Sequence, residues 1–165
     1  MNPDELINPI CKSKNKQAAH AQHYWALANS YFTAADQLLE KPSGQAFVPT
    51  LFLLAHSLEL FFKTFLIYRG IPEKALEIKL RHNLELCFRK CNEQGLCKYL
   101  VLSQIQVRQI ATVNRYYQKK HLEYYYGCAM CFGSIENFKY IVCHVSKCIL
   151  DLITREVFLT LPKVT

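Results

Sequence analysis

Glycine and proline are scarce, at 5 and 6 of 165 residues, and most stand where a helix should stop or start. A sheet-built chain of this length would need a turn signal about every 8–12 residues, so the scarcity argues against an all-β architecture. The sequence has no glycine-rich phosphate loop, no catalytic-triad signature and no complete metal motif. The opening Met1-Asn2-Pro3-Asp4-Glu5 is acidic and leads into no apolar core, which argues against a secretory signal. The best candidate for a membrane span, Phe47 to Tyr68, carries His56, Glu59 and Lys63 near its centre. A charge at the bilayer centre costs roughly 2.5–3.5 kcal/mol on insertion scales. The segment therefore reads as a buried core helix, and no membrane contact is expected.

What is present fits one globular domain: 51% hydrophobic residues against 20% charged ones, in a chain long enough for one sizeable core. The eight cysteines would suggest a disulfide framework in a small secreted chain. With no secretory signal and an ample core, reduced thiols and a cytoplasmic location are the expectation. Several cysteines stand at helical core spacing, where a free thiol behaves as a small hydrophobe. A net charge of +7 suits a polyanionic partner such as RNA without requiring one.

The apolar periodicity predicts an all-α bundle of about five helices over residues 16–160, after a loose polar arm at 1–15. A first helix from Lys16 to Glu40 would bury Trp25, Ala28, Phe32, Ala35 and Leu39, and Pro42 and Gly44 would end it. The second, from Phe47 to before Gly70, is apolar nearly all round and so should be central. A broken region follows from Glu73 to Glu93, split near Leu80-Arg81-His82-Asn83, with Asn83 able to cap its second half. A fourth helix from Lys98 towards Lys120 would turn Val107, Ile110, Asn114 and Tyr117 inward. A turn is expected over 121–133, and a last helix from Ser134 to Phe158.

The second helix carries His56, Glu59 and Lys63 in an H-x-x-E-x-x-x-K pattern, followed by Gly70 and then His82-Asn83-Leu84. In that order and spacing these residues resemble the HEPN family (higher eukaryotes and prokaryotes nucleotide-binding domains), over roughly residues 20 to 126. The resemblance implies an up-and-down helical bundle that often forms a homodimer. It also implies links to RNA or nucleotides, either as metal-independent ribonucleases of toxin and defence systems or as partners of minimal nucleotidyltransferases. Ribonuclease members carry an Arg four to six residues before a His, and Arg115 and His121 have that form. Tyr116 stands where those members usually carry a small polar residue.

The chemistry of that pair is coherent. Cleaving RNA without a metal needs a base for the 2′-hydroxyl, which His supplies near neutral pH. It also needs a cation for the charge at phosphorus, which Arg supplies with a rigid fork of donors. Six positions on an ideal helix leave the side chains about 120° apart, so the two converge only if the helix ends between them or across a dimer. The plainer alternative is a solvated helix face. Arg108, Arg115 and Lys119 form a basic stripe, with Lys120 adjacent and Tyr116 and Tyr124 nearby. Such interleaving suits single-stranded RNA through phosphate contacts and base stacking.

His56, Glu59 and Lys63 share one face of their helix. They read first as a buried ion pair, Glu59 with Lys63, in which His56 satisfies the remaining carboxylate oxygen and His82 adds a partner. A ligand-binding role for the same stripe is the alternative. Cys128 and Cys131 form a C-x-x-C, but Cys143, His144 and Cys148 lie at spacings that do not complete a zinc site. No metal or cofactor is expected.

Overall fold

The computed structural model describes residues 9–40, 46–124 and 132–160, with side chains over 16–40, 46–124 and 132–155. It is an all-α bundle, with no strand among the described residues. The helices are α1 (Pro9–Leu39), α2 (Phe47–Tyr68), α3 (Glu73–Leu80), α4 (Leu84–Glu93), α5 (Gln104–Tyr117) and α6 (Ile135–Thr160). A single 3₁₀ turn, Leu96–Lys98, joins α4 to the segment before α5.

α2 packs against every other helix. Its residues from Ser57 to Ile67 are buried without interruption, which is what a helix apolar on all sides requires. By length and composition α2 could cross a membrane; here it is largely buried inside the bundle. α1 meets it along alanines seven residues apart: Ala21, Ala28 and Ala35 are fully buried, while Trp25, Phe32 and Leu39 are only partly covered. Small side chains let the two backbones approach closely, and the Ser57 hydroxyl donates straight to the Ala28 carbonyl at 2.9 Å. The deepest seam of α1 is therefore the alanine repeat rather than the larger residues of the predicted face. Trp25 instead reaches α6, donating to the Ser146 carbonyl at 3.2 Å.

Two boundaries differ from expectation. α1 begins at Pro9, so residues 9–15 of the expected arm are helical; residues 1–8 lie outside the described ones. The helix expected from Lys98 begins at Gln104, because Ser103 forms a capping box with Gln106 and so fixes the first turn there. The break in the third region is where the sequence suggests. Arg81, at φ 42°, turns the chain sharply, and the Asn83 side chain accepts from the Leu86 amide at 2.9 Å, capping α4. Gly70, at φ 87°, closes α2. Its amide bonds Ile67 and the next amide bonds Leu66, the Schellman arrangement in which a left-handed residue costs glycine nothing.

Candidate functional site

The His56, Glu59, Lys63 and His82 group assembles, and Tyr117 of α5 completes it. Glu59 is 1% exposed, so both of its oxygens need partners. The Lys63 ammonium lies 2.5 Å from Oε1, one helical turn along. On the other oxygen, Oε2, the Tyr117 hydroxyl donates at 2.5 Å and His82 Nδ1 lies at 3.0 Å. His56 was expected to fill this position; its Nδ1 stands 3.8 Å from Oε2, too far for a hydrogen bond. It bonds the Tyr117 hydroxyl at 2.8 Å instead, because that hydroxyl sits between them.

The protons follow from the chemistry of the partners. An ionised carboxylate only accepts, so His82 Nδ1 carries a hydrogen. The single Tyr117 proton goes to Glu59, so the hydroxyl accepts from His56 Nδ1–H. Both imidazoles are thus fixed by one carboxylate, with their Nε2 atoms turned away from it. Phe52 stacks parallel to His56 with centroids 5.9 Å apart, and Tyr31 meets it edge-on at 4.6 Å. Burial pushes the Glu59 carboxyl up, but the interactions with His56, His82 and Lys63 outweigh it and hold the group well below the usual carboxylate range. Burial and the Glu59 charge push the Tyr117 hydroxyl far above its ordinary value, so it remains a donor. The hydrogen bond to Glu59 raises His82, against a smaller opposing effect of its partial burial.

The ligand atoms of His56, Glu59 and His82 lie within 4.8 Å of one another, a spacing that could hold a metal ion. The position between them is taken. The Tyr117 hydroxyl is 2.5 Å from Glu59 Oε2, 2.8 Å from His56 Nδ1 and 3.5 Å from His82 Nδ1. An ion making bonds of about 2.0–2.1 Å would have to expel that hydroxyl and share Glu59 with Lys63. The residues suit a hydrogen-bonded hub that ties α5 and the α3–α4 corner to α2.

One residue further along α5 from that hub lies its C-terminal turn. Past Tyr117 the chain does not simply unwind. The Lys120 amide bonds the Tyr117 carbonyl and the His121 amide bonds the Tyr116 carbonyl at 2.9 Å, while Lys120 takes φ 61°. This is a second Schellman turn, with lysine where glycine is favoured. The motif brings the residue at the His121 position back over the last helical turn, the turn that carries Arg115 and Tyr116. The helix thus ends between Arg115 and His121, as their convergence requires. Arg115 is exposed and in no ion pair among the described residues, and His121 is half-buried.

The other expected RNA-binding residues line the same region. Arg108, Arg115 and Lys119 are exposed, and their spacing of seven and four residues keeps them on one face. Lys120 is exposed and paired with Glu123 at 3.7 Å. Tyr124 is 61% exposed; Tyr116 is half-buried. Cys128 and Cys131 lie outside the described residues. Cys87 and Cys91 are buried, and burial pushes the Cys87 thiol up to about 12, so it packs rather than reacts.

Sequence reasoning placed Tyr117 on the inner face of its helix without seeing its partner. A single Tyr 58 residues from a buried Glu carries no signal by itself. The general rule that a buried carboxylate needs donors for both oxygens could have prompted the search. Comparison of the chain with protein-family models, curated proteins and solved structures finds no match.

Proposed function

We propose that this chain is an HEPN-like domain that binds single-stranded RNA on the basic face of α5 and cleaves it, without a metal, through Arg115 and His121. The observation that favours the reading is the Schellman turn at Lys120, whose backbone bonds end α5 between Arg115 and His121. Exposed Arg108 and Lys119 supply phosphate contacts along the same face, and exposed Tyr124 supplies a stacking surface.

In this mechanism His121 removes the proton from a ribose 2′-hydroxyl, and the freed oxygen attacks the neighbouring phosphorus. The bond to the 5′ oxygen breaks, a 2′,3′-cyclic phosphate forms, and the leaving oxygen takes a proton from the imidazolium or from water. The Arg115 guanidinium stabilises the charge that builds on the phosphoryl oxygens. The test is cleavage of a labelled single-stranded RNA in the presence of a chelator. Cleavage should occur and should fall by at least about a hundredfold in His121→Ala and comparably in Arg115→Ala. RNA left intact by the wild-type protein would end the nuclease reading.

One observation favours a second, non-catalytic reading. Tyr116, half-buried between the two candidate residues, stands where the ribonuclease members usually have a small polar side chain. In that case the same bundle is a binding module for RNA, a nucleotide or a partner such as a minimal nucleotidyltransferase. Salt-sensitive RNA binding without cleavage would then be the result.

A further inference from the structure

Beside the Arg115 turn lies an open groove of about 520 Å³ between α4 and α5, lined by Asn83, Glu85, Leu86, Arg89, Asn114 and Gln118. Its floor is set by Asn114, 1% exposed, whose polar atoms are all engaged. Asn114 Oδ1 accepts the Leu84 amide at 2.8 Å, satisfying a donor that the start of α4 leaves open. Its Nδ2 donates to Glu85 Oε2 at 2.8 Å, to Asn83 Oδ1 at 3.3 Å and, at 3.5 Å, towards Gln118 Oε1. Asn114 is a clamp that offers nothing more to a ligand.

Glu85 and Arg89 are four residues apart with the acid first, the arrangement that ordinarily pairs across a helical turn. They do not pair. The Glu85 carboxylate accepts from Asn114 through Oε2, and the Arg89 guanidinium, 69% exposed, has a 3.9 Å contact from its Nε to Glu93. One carboxylate oxygen, one guanidinium fork and the Gln118 amide protons therefore remain available, above the partly buried Leu86.

That set has a definite complement. A carboxylate beside a guanidinium matches a planar ring that presents N–H donors on one edge and acceptors on the adjacent edge. Guanine does so, with N1–H and N2–H₂ for Glu85 and with O6 and N7 for Arg89, the pairing that Arg makes with guanine elsewhere. Adenine reverses the donor and acceptor at its Watson–Crick edge and meets Glu85 with a lone pair. Gln118 is three residues from both Arg115 and His121 in sequence, so a base in the groove would leave its phosphate near the basic face. We propose that the groove is a guanine-selective base pocket for the RNA bound along α5, with Glu85 and Arg89 as its specificity-determining residues; this rests on the RNA-binding reading above.

The test uses the full chain and uridine-rich oligonucleotides that differ by a single guanosine, adenosine or cytidine. The guanosine oligonucleotide should bind more tightly by roughly five- to a hundredfold, the discrimination expected of one good bidentate contact. Glu85→Gln and Arg89→Met should each erase that preference while general, salt-sensitive binding persists. Both side chains are exposed, so a thermal melt should confirm that the variants fold. Equal binding of all three oligonucleotides, or a guanosine preference that survives in both variants, would overturn the pocket and leave the RNA reading intact. No binding of any oligonucleotide would overturn both.

Discussion

Two clusters of polar residues lie on either side of the same stretch of α5, and they differ in one respect. The inner cluster, around Glu59, has its charges paired and buried: Lys63, Tyr117 and His82 meet the two carboxylate oxygens. The outer one, Arg108, Arg115 and Lys119, is exposed, with no internal ion pair among the described residues. Tyr117 belongs to the first and Arg115, two positions earlier and so on nearly the opposite face, to the second, so a single turn of α5 carries both a residue that holds the fold and a charge turned to solvent. A buried pair is strongly destabilising to break, whereas an exposed cation is close to neutral for stability.

Mutations can break that contrast from the inside first. Glu59→Ala would leave the Lys63 ammonium buried without its counter-charge and strip His82 and Tyr117 of their acceptor. The expected loss is about 3–5 kcal/mol, or roughly 10 °C in melting temperature for a chain of this size, measurable by thermal denaturation. Tyr117→Phe keeps the ring packing and removes only the hydroxyl. It removes one of the two donors to Glu59 Oε2 and the hydroxyl that His56 Nδ1 bonds, and a loss of about 1–3 kcal/mol is expected in denaturant titration.

A smaller effect lies in pH. His82 is raised by its bond to Glu59, so its contribution to stability is complete below the ordinary histidine pKa of about 6.5 and fades as pH climbs through the higher folded value. His82→Asn should therefore flatten the decline of the melting temperature above that point. An unchanged slope would show that the Glu59–His82 bond does not bear on stability. Glu59 itself is lowered, which works the other way: its contribution is present above the ordinary carboxylate range and is lost as pH falls below it.

Much of the architecture was legible in the sequence, and the reasons are local. α2 is apolar on every side yet contains Glu59 and Lys63 four residues apart, a combination that marked it as a core helix with an internal ion pair. Asn83 and Gly70 are residues whose chemistry announces a cap and a stop. The less visible parts depend on contacts between distant segments or on residues that defy their preferences. Nothing in the chain around Lys120 signals a left-handed turn, because lysine seldom adopts one. Tyr117 and Glu59 find each other across 58 positions, and Asn114 clamps the start of a helix 30 residues earlier. The alanine seam of α1 was partly hidden because Trp25 and Phe32 carry more hydrophobic signal than the smaller residues between them.

The contrast between the two clusters is tested most directly by single-stranded RNA binding as a function of salt, in the wild-type protein and in the Arg108→Ala/Arg115→Ala double variant. In the wild type the affinity should fall steadily with salt. The double variant should bind more weakly, with a slope shallower by about 1.4 in log–log terms, about 0.7 for each lost phosphate contact. Its melting temperature should stay close to that of the wild type. Binding that ignores salt, or a double variant that binds as well as the wild type, would contradict the assignment of the outer face to RNA.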